Sequence, residues 1–164
     1  MGSLESIVSD LEYGRAQVLQ AVAGLSESEA TELLVQTAEE GEGVWTVKDI
    51  LAHLSGWDQR VVDIVPLIAQ DRASEILPLE VERENKDFAA AWQDKSWNEA
   101  LAAIKLSSQQ VIQTISGLDY KQVDTRHERQ GRQITIRSFV VDTLVEHDRH
   151  HAAEIKSWRE QVGV

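Results

Sequence analysis

The chain has 164 residues, a formal net charge of −12 and an apolar fraction of 42%. These values are typical of a globular protein, and we expect a single domain over residues 1–164. The acidic charge argues against binding to nucleic acid or to an anionic membrane surface, because both require clustered Lys and Arg. With no cysteine and no apolar run near the ~20 residues of a membrane span, we expect a cytoplasmic protein whose metal sites would use histidine and carboxylate ligands.

Two helices are predicted in the first part of the chain. A long helix is expected over residues 4–24, because apolar residues recur there at helical spacing on one face. These residues are Ile7, Leu11, Val18 and Val22. A capping-box pattern of Ser26 and Glu29 predicts a short helix to about residue 35, and residues 39–43 are expected to form a polar loop.

A second long helix is predicted after Thr46, which forms an N-terminal capping signal with Asp49, and it continues to about residue 70. Its apolar stripe consists of Ile50, Leu54, Trp57, Val61, Ile64, Val65 and Ile68. Another helix is expected over residues 79–92. A third long helix begins after the capping box of Ser96 and Glu99 and ends near residue 116.

Residues 118–134 are predicted to be a polar connection in which His127 is solvated. Residues 133–136 either are extended or lead straight into the last helix, which runs to about residue 162. Four long amphipathic helices predict an all-α four-helix bundle. Since the connections after the first three helices are long, crossover connections are favoured over tight hairpins.

The last helix contains two histidines in its apolar stripe. The stripe consists of Val140, Leu144, His147, His151, Ile155, Trp158 and Val162. His147 and His151 are four residues apart, so their rings lie on one face and can bind one metal ion. His150 lies roughly a right angle away from the stripe. The alternative interpretation is that buried Ser, Thr or Glu side chains satisfy the pair by hydrogen bonds.

A third histidine and two acids are further candidates. His53 is expected at the edge of the stripe of the second helix, and it becomes relevant if that helix packs beside the last one. Asp148 and Glu154 flank the stripe of the last helix. Either acid could orient an imidazole as a hydrogen-bond acceptor, or form a surface ion pair with Arg149 or Lys156.

Two segments, residues 45–54 (WTVKDILAHL) and residues 146–155 (EHDRHHAAEI), resemble the DinB-like superfamily. This superfamily includes YfiT-type metal-dependent hydrolases and S-transferases that use mycothiol or bacillithiol. The resemblance implies a four-helix bundle with up-down-down-up topology, and homodimers are frequent among its members. In metal-binding members one histidine comes from the second helix and two from the last. Here that implies His53, His147 and His151 as ligands of zinc or nickel, with water completing the shell.

Residues 45–54 also resemble the DfsB/ClbS-type branch, whose members do not all keep the metal histidines. Retention of all three in this chain favours a metal-bearing member of the superfamily. The resemblance is specific for the superfamily and does not distinguish one activity from another.

Three functional hypotheses follow. The first is a metal-dependent enzyme, a hydrolase or an S-transferase, that acts on a small electrophilic substrate, with Asp148 and Glu154 as the candidate assisting residues. Since the chain has no cysteine, any thiol would be an exogenous low-molecular-weight cofactor. The second is a non-enzymatic bundle of the DfsB type that sequesters a small molecule. The third is a bundle used only for dimerisation, with its histidines satisfied internally.

Overall fold

The computed structural model describes residues 4–36 and 44–164, so the polar loop predicted at residues 39–43 lies outside the described residues. Within these ranges the helices are α1 (Leu4–Val22), α2 (Glu27–Glu32), α3 (Val47–Ala69), α4 (Val81–Ala90), α5 (Trp97–Ser116), α6 (Tyr120–Asp124), α7 (Ile136–Val140) and α8 (Glu146–Val162). A 3-10 turn (Ala73–Glu75) follows α3. A π-helical turn (Val141–Val145) joins α7 to α8, and the three segments together are the last helix of the bundle. Two antiparallel hairpins pair β1 (Leu34–Gln36) with β2 (Val44–Thr46) and β3 (His127–Arg129) with β4 (Arg132–Ile134).

The predicted capping boxes begin α2, α3 and α5, which confirms the starts of these helices. In α3, Thr46 Oγ1 accepts a hydrogen bond from the Asp49 amide over 3.2 Å, and Asp49 Oδ2 accepts one from the Thr46 amide over 3.0 Å. Each box satisfies two N–H groups that the first helical turn would otherwise leave unpaired. The helix bounds therefore follow from local side-chain chemistry.

Two connections differ from the prediction. The helix expected to reach residue 35 ends at Glu32, because Leu34–Gln36 pairs with Val44–Thr46 and buries Val35. The polar connection over residues 118–134 contains α6 and the β3–β4 hairpin. In both places short strands pair with a strand that follows closely in the chain, and β3 and β4 are joined by only two residues, Gln130 and Gly131, which both have positive φ. Strands of three residues are too short for an alternating apolar pattern to identify them.

The helix directions follow from contacts at the two ends of the bundle. Arg159 Nη1 donates to the carbonyl oxygens of Ala21 and Ala23 over 2.9 and 2.8 Å, so α1 and α8 end side by side. Lys48 Nζ donates to the carbonyl oxygen of Lys95 over 2.9 Å, so α3 and α5 begin side by side. The first and last helices are therefore parallel, and so are the middle two.

The two parallel pairs run in opposite directions. The Trp97 amide donates to Glu27 Oε1 over 3.3 Å, which places the beginning of α5 beside the end of α1. Around the bundle, α1 packs against α5 and α8, and α3 packs against α5 and the last helix. The topology is up-down-down-up, as predicted. Within the described ranges, no helix is long and apolar enough to cross a bilayer.

A layer of polar side chains divides the hydrophobic core into two clusters. One cluster includes Ile7, Leu11, Val61, Val111, Ile115, Leu144 and Val145. The other includes Val18, Leu51, Leu54, Ile104, Ala152 and Ile155. Between them, each long helix contributes one buried residue to what we call the polar layer: Arg15 from α1, Asp58 from α3, Ser107 from α5 and Asp148 from α8.

Arg15 is the centre of the polar layer. Its Nε and Nη2 donate to the two carboxylate oxygens of Asp148 over 2.9 and 3.1 Å, and Nη2 and Nη1 donate to those of Asp58 over 2.9 and 3.0 Å. Nη1 also donates to the Ile104 carbonyl over 3.3 Å, so all five guanidinium N–H groups have acceptors. Ser107 Oγ donates to Asp58 over 2.6 Å. Burial raises the pKa of Asp58, although the neighbouring Arg15 acts in the opposite direction.

Replacing Arg15 by Met is expected to destabilise the fold by about 3–5 kcal/mol, because two buried carboxylates lose their shared cation. Urea denaturation of wild type and variant measures this change. Arg72→Met is the matched control, since Arg72 pairs with Glu75 on the exposed surface, where solvent screens the pair, and its effect on stability should be much smaller. Equal effects of the two substitutions would show that the polar layer does not hold the bundle together.

A second prediction concerns the contact of α3 with α4. A Cβ atom on Gly56 would overlap the ring of Phe88. Gly56→Ala should therefore destabilise the protein by about 1–3 kcal/mol through overpacking, less the intrinsic preference of Ala for helix. In a Phe88→Ala background the same substitution should become neutral or stabilising by up to ~1 kcal/mol. Thermal melts of wild type, the two single variants and the double variant show whether the effect of Gly56→Ala on stability changes sign. The same loss of stability in both backgrounds would contradict the proposed clash.

Candidate metal centre

Three imidazole nitrogens meet between α3 and α8. His53 Nε2 lies 2.7 Å from His147 Nε2, and His147 Nε2 lies 3.0 Å from His151 Nε2. One ligand nitrogen from each ring lies within 4.8 Å of the other two. The structure thus brings together the three residues that the sequence resemblance implied as ligands.

The three rings differ in burial. His53 and His151 are both 0% exposed, whereas His147 is half-buried. His53 was expected at the edge of the apolar stripe of its helix, and it is fully buried because the Trp45 ring of β2 packs against it at 5.0 Å between centroids. The paired strands β1 and β2, which the sequence pattern did not predict, therefore close one side of the histidine cluster.

Hydrogen bonding alone does not account for the three rings. A neutral ring nitrogen carries either one proton or one lone pair, so His147 Nε2 cannot form full hydrogen bonds to both neighbours at once. A metal ion satisfies three lone pairs at one point. Zinc–nitrogen bonds of 2.0–2.1 Å in a tetrahedral site separate two ligand nitrogens by ~3.3 Å. The Nε2 atom of His147 lies 2.7 and 3.0 Å from its two neighbours, which is close to that separation. The donor set therefore fits a divalent cation.

The two candidate acids have different positions. Glu154 Oε2 accepts a hydrogen bond from His151 Nδ1 over 2.9 Å, and Glu154 Oε1 lies 3.1 Å from His150 Nε2. A proton on His151 Nδ1 leaves the lone pair of Nε2 directed at the other two rings, which is how a carboxylate orients a metal-binding imidazole. Asp148 instead binds Arg15 with both oxygens. It follows His147 in sequence and lies about 100° further around the helix, so it faces α1.

The remaining two histidines are outside the cluster. His150 is largely exposed, with 42% of its side chain accessible. His127 was expected to be solvated, but it is buried on β3 with Nδ1 3.0 Å from Asp71 Oδ1. The β3–β4 hairpin covers the 3-10 turn there and removes the ring from solvent.

A cavity of ≈ 750 Å³ opens beside His147. Its apolar wall is formed by Trp57, Leu79 and Val81. Its polar lining consists of Asn85, Asp142, Thr143, Glu146, Arg149 and His150. Because His147 is the half-buried member of the cluster and also lines the cavity, the open side of the histidine cluster faces this space.

Neither the polar layer nor the burial of Asn85, whose side chain accepts a hydrogen bond from Trp57 Nε1 over 3.0 Å, was predicted from the sequence. A signal for the polar layer was present, because Arg15 occupies a place in the apolar stripe of α1 between Leu11 and Val18. Asp58 occupies a similar place between Leu54 and Val61. Charged residues at such positions predict buried ionic contacts. No comparable signal marks Asn85, because α4 is short and mostly polar.

The protein is thus a four-helix bundle of up-down-down-up topology with a three-histidine cluster that could hold a metal ion. The sequence matches the family described as the DinB superfamily over residues 10–155. The chain therefore belongs to the DinB superfamily, as the two sequence motifs predicted. No curated protein matches the chain by sequence.

Several solved structures share this fold. The colibactin self-resistance protein ClbS, solved in complex with double-stranded DNA, has a TM-score of 0.81 at 15% identity, with 98% of this chain and 97% of ClbS covered. YfiT from Bacillus subtilis, described as a probable metal-dependent hydrolase with an unusual four-helix bundle topology, has a TM-score of 0.72 at 20% identity, with coverages of 98% and 87%. A mycothiol-dependent maleylpyruvate isomerase has a TM-score of 0.71 at 13% identity, and the match spans 94% of this chain and 63% of that one. At these identities the likeness establishes the fold alone.

Glu154→Gln is expected to weaken zinc binding by about 10–100-fold, because a neutral amide no longer supplies the charge that orients His151 and raises its basicity. Competition of the purified protein against a chromogenic zinc chelator gives the dissociation constant. Glu160→Gln is the control, since this exposed acid lies on the same helix. If both variants bind zinc like wild type, Glu154 has no part in metal binding.

Proposed function

We propose that His53, His147 and His151 bind a divalent metal ion, zinc or nickel, and that the protein is a metal-dependent enzyme acting on a small electrophilic molecule. The observation that carries this proposal is the convergence of three imidazole nitrogens at the wall of a cavity. Three neutral histidine ligands with an open side are typical of catalytic sites, whereas structural zinc sites are closed by four protein ligands.

When bound, such an ion lowers the pKa of a coordinated water toward ~7 or holds a thiol as its thiolate. The chain's own residues define where a substrate would be placed. Trp45 covers His53 and Glu154 fixes His151, so access is from the His147 side. The Trp57 ring forms part of the apolar wall that keeps water away from a bound molecule.

Hydrolysis is the reaction we place first, with transfer to an exogenous low-molecular-weight thiol as the second. The description of YfiT as a metal-dependent hydrolase supports the first reaction. The mycothiol dependence of the maleylpyruvate isomerase supports the second, and the lack of cysteine requires the thiol to come from outside the chain. A screen of the zinc-loaded and nickel-loaded protein with ester, amide and epoxide substrates, with and without added thiol, separates the two.

The competing function is metal-free sequestration of a small molecule, as the self-resistance role named for ClbS suggests. Both functions require a small-molecule ligand. For either function, we propose that the protein is a cytoplasmic homodimer. DNA binding is not part of the proposed function, because a net charge of −12 opposes binding to phosphate groups.

His147→Ala should abolish stoichiometric metal binding, because it removes the nitrogen that lies between the other two. Elemental analysis after zinc loading should give one ion per chain for wild type and for the control His150→Ala, and none for His147→Ala. Zinc at 100-fold excess over its dissociation constant should stabilise wild type by about 2.7 kcal/mol and leave His147→Ala unchanged. A full zinc content in His147→Ala would refute the site, and a wild type that cannot be loaded would favour sequestration.

A further inference from the structure

The side-chain amide of Asn85 has a fixed orientation. Trp57 Nε1 donates a hydrogen bond to Asn85 Oδ1 over 3.0 Å, and Asn85 is only 1% exposed. An indole N–H can only donate and an amide oxygen can only accept, so this contact determines which end of the amide is the oxygen. The NH2 group of Asn85 therefore points away from the Trp57 ring.

Trp57 and Asn85 both line the cavity. Within residues 4–36 and 44–164, Asn85 Nδ2 donates no hydrogen bond, and it is not among the fully buried atoms that lack a partner. Its access to solvent is therefore through the cavity that Asn85 lines, which places the NH2 group toward this space. A buried amide NH2 is costly unless water or a ligand accepts its protons. The cavity therefore presents a directed hydrogen-bond donor in an otherwise apolar corner formed by Trp57, Leu79 and Val81.

The charged residues of the cavity do not favour an anionic ligand. Arg149 Nη1 donates to Glu146 Oε1 over 2.8 Å, and His150 Nε2 lies 3.1 Å from Glu154 Oε1. Both basic groups are thus engaged by acids, and Asp142 adds a further carboxylate to the lining. A neutral oxygen acceptor meets the Asn85 amide without the repulsion that a carboxylate would meet from Asp142 and Glu146.

We propose that the cavity binds uncharged carbonyl compounds, such as amides, esters or ketones with an apolar body, and that Asn85 selects them by donating a hydrogen bond to the carbonyl oxygen. Trp57 is a positioning residue, because its indole N–H holds the amide in the donating orientation. This inference rests on the proposed function, since such compounds would be the substrates of the metal centre next to the cavity.

Two probes of one shape test the proposal on chelator-treated, metal-free protein. Acetophenone carries a carbonyl oxygen where α-methylstyrene carries a CH2 group. Titrations followed by ¹H–¹⁵N NMR should show acetophenone binding about fivefold more tightly, with shifts of the Asn85 side-chain NH2 signals. Benzoate should bind more weakly than acetophenone.

Asn85→Asp keeps an acceptor for the Trp57 indole and replaces the donor by a second oxygen, so the preference for acetophenone should disappear. Asn98→Asp makes the same change of charge at an exposed position of α5 and should retain the preference. Trp57→Phe removes the hydrogen bond that orients the amide, and it should reduce the preference toward equal affinity. Trp57→Phe therefore tests the proposal even if Asn85→Asp does not fold.

Equal affinities of the wild-type protein for acetophenone and α-methylstyrene would overturn the proposal. A preference that survives in Asn85→Asp, or no saturable binding of either probe up to its solubility, would overturn it as well. Because the titration uses metal-free protein, its result is separate from metal loading. Failure of zinc binding with an intact carbonyl preference would refute the metal centre and support the Asn85 site.

Discussion

The pairing of one buried guanidinium with two buried carboxylates is the constraint that relates all four long helices to one another. Arg15 has five donors in a rigid plane, and its acceptors come from α3, α5 and α8. A shift of any of these helices along its axis would leave a buried charge or carbonyl without a partner, which is far more costly than a displaced methyl group. Apolar packing alone tolerates such sliding, so the polar layer specifies the helix register that the two hydrophobic clusters leave undetermined.

The histidine cluster depends on this register. His53 lies five residues before Asp58 on α3, and His151 lies three residues after Asp148 on α8. Because α3 and α8 run in opposite directions, both histidines lie on the same side of the polar layer. Arg15 binds both aspartates and so holds α3 and α8 in the register at which these histidines meet. The residues that position the two helices are therefore different from the histidines of the cluster.

Local chemistry explains which parts of the structure the sequence could predict. Three helices begin at capping boxes formed between residues only three positions apart, and the positions of these starts were predicted correctly. The N-terminal capping residues are Ser26, Thr46 and Ser96. The β1–β2 pairing that places Trp45 against His53 involves two strands of only three residues each, which are too short to give an alternating apolar pattern. The Trp57–Asn85 hydrogen bond likewise joins α3 to a helix with a weak apolar pattern.

The predicted stripe of the last helix is buried at five of its seven positions, which are Val140, Leu144, His151, Ile155 and Trp158. His147 is half-buried, because the centre of the buried face of α8 passes through Asp148, Ala152 and Ile155, and His147 lies at the border of this face beside the cavity. A stripe of apolar spacing does not reveal that a charged residue such as Asp148 lies at its centre. This arrangement has a chemical consequence, because it turns Asp148 toward Arg15 and leaves His147 as the member of the histidine cluster that is accessible from the cavity.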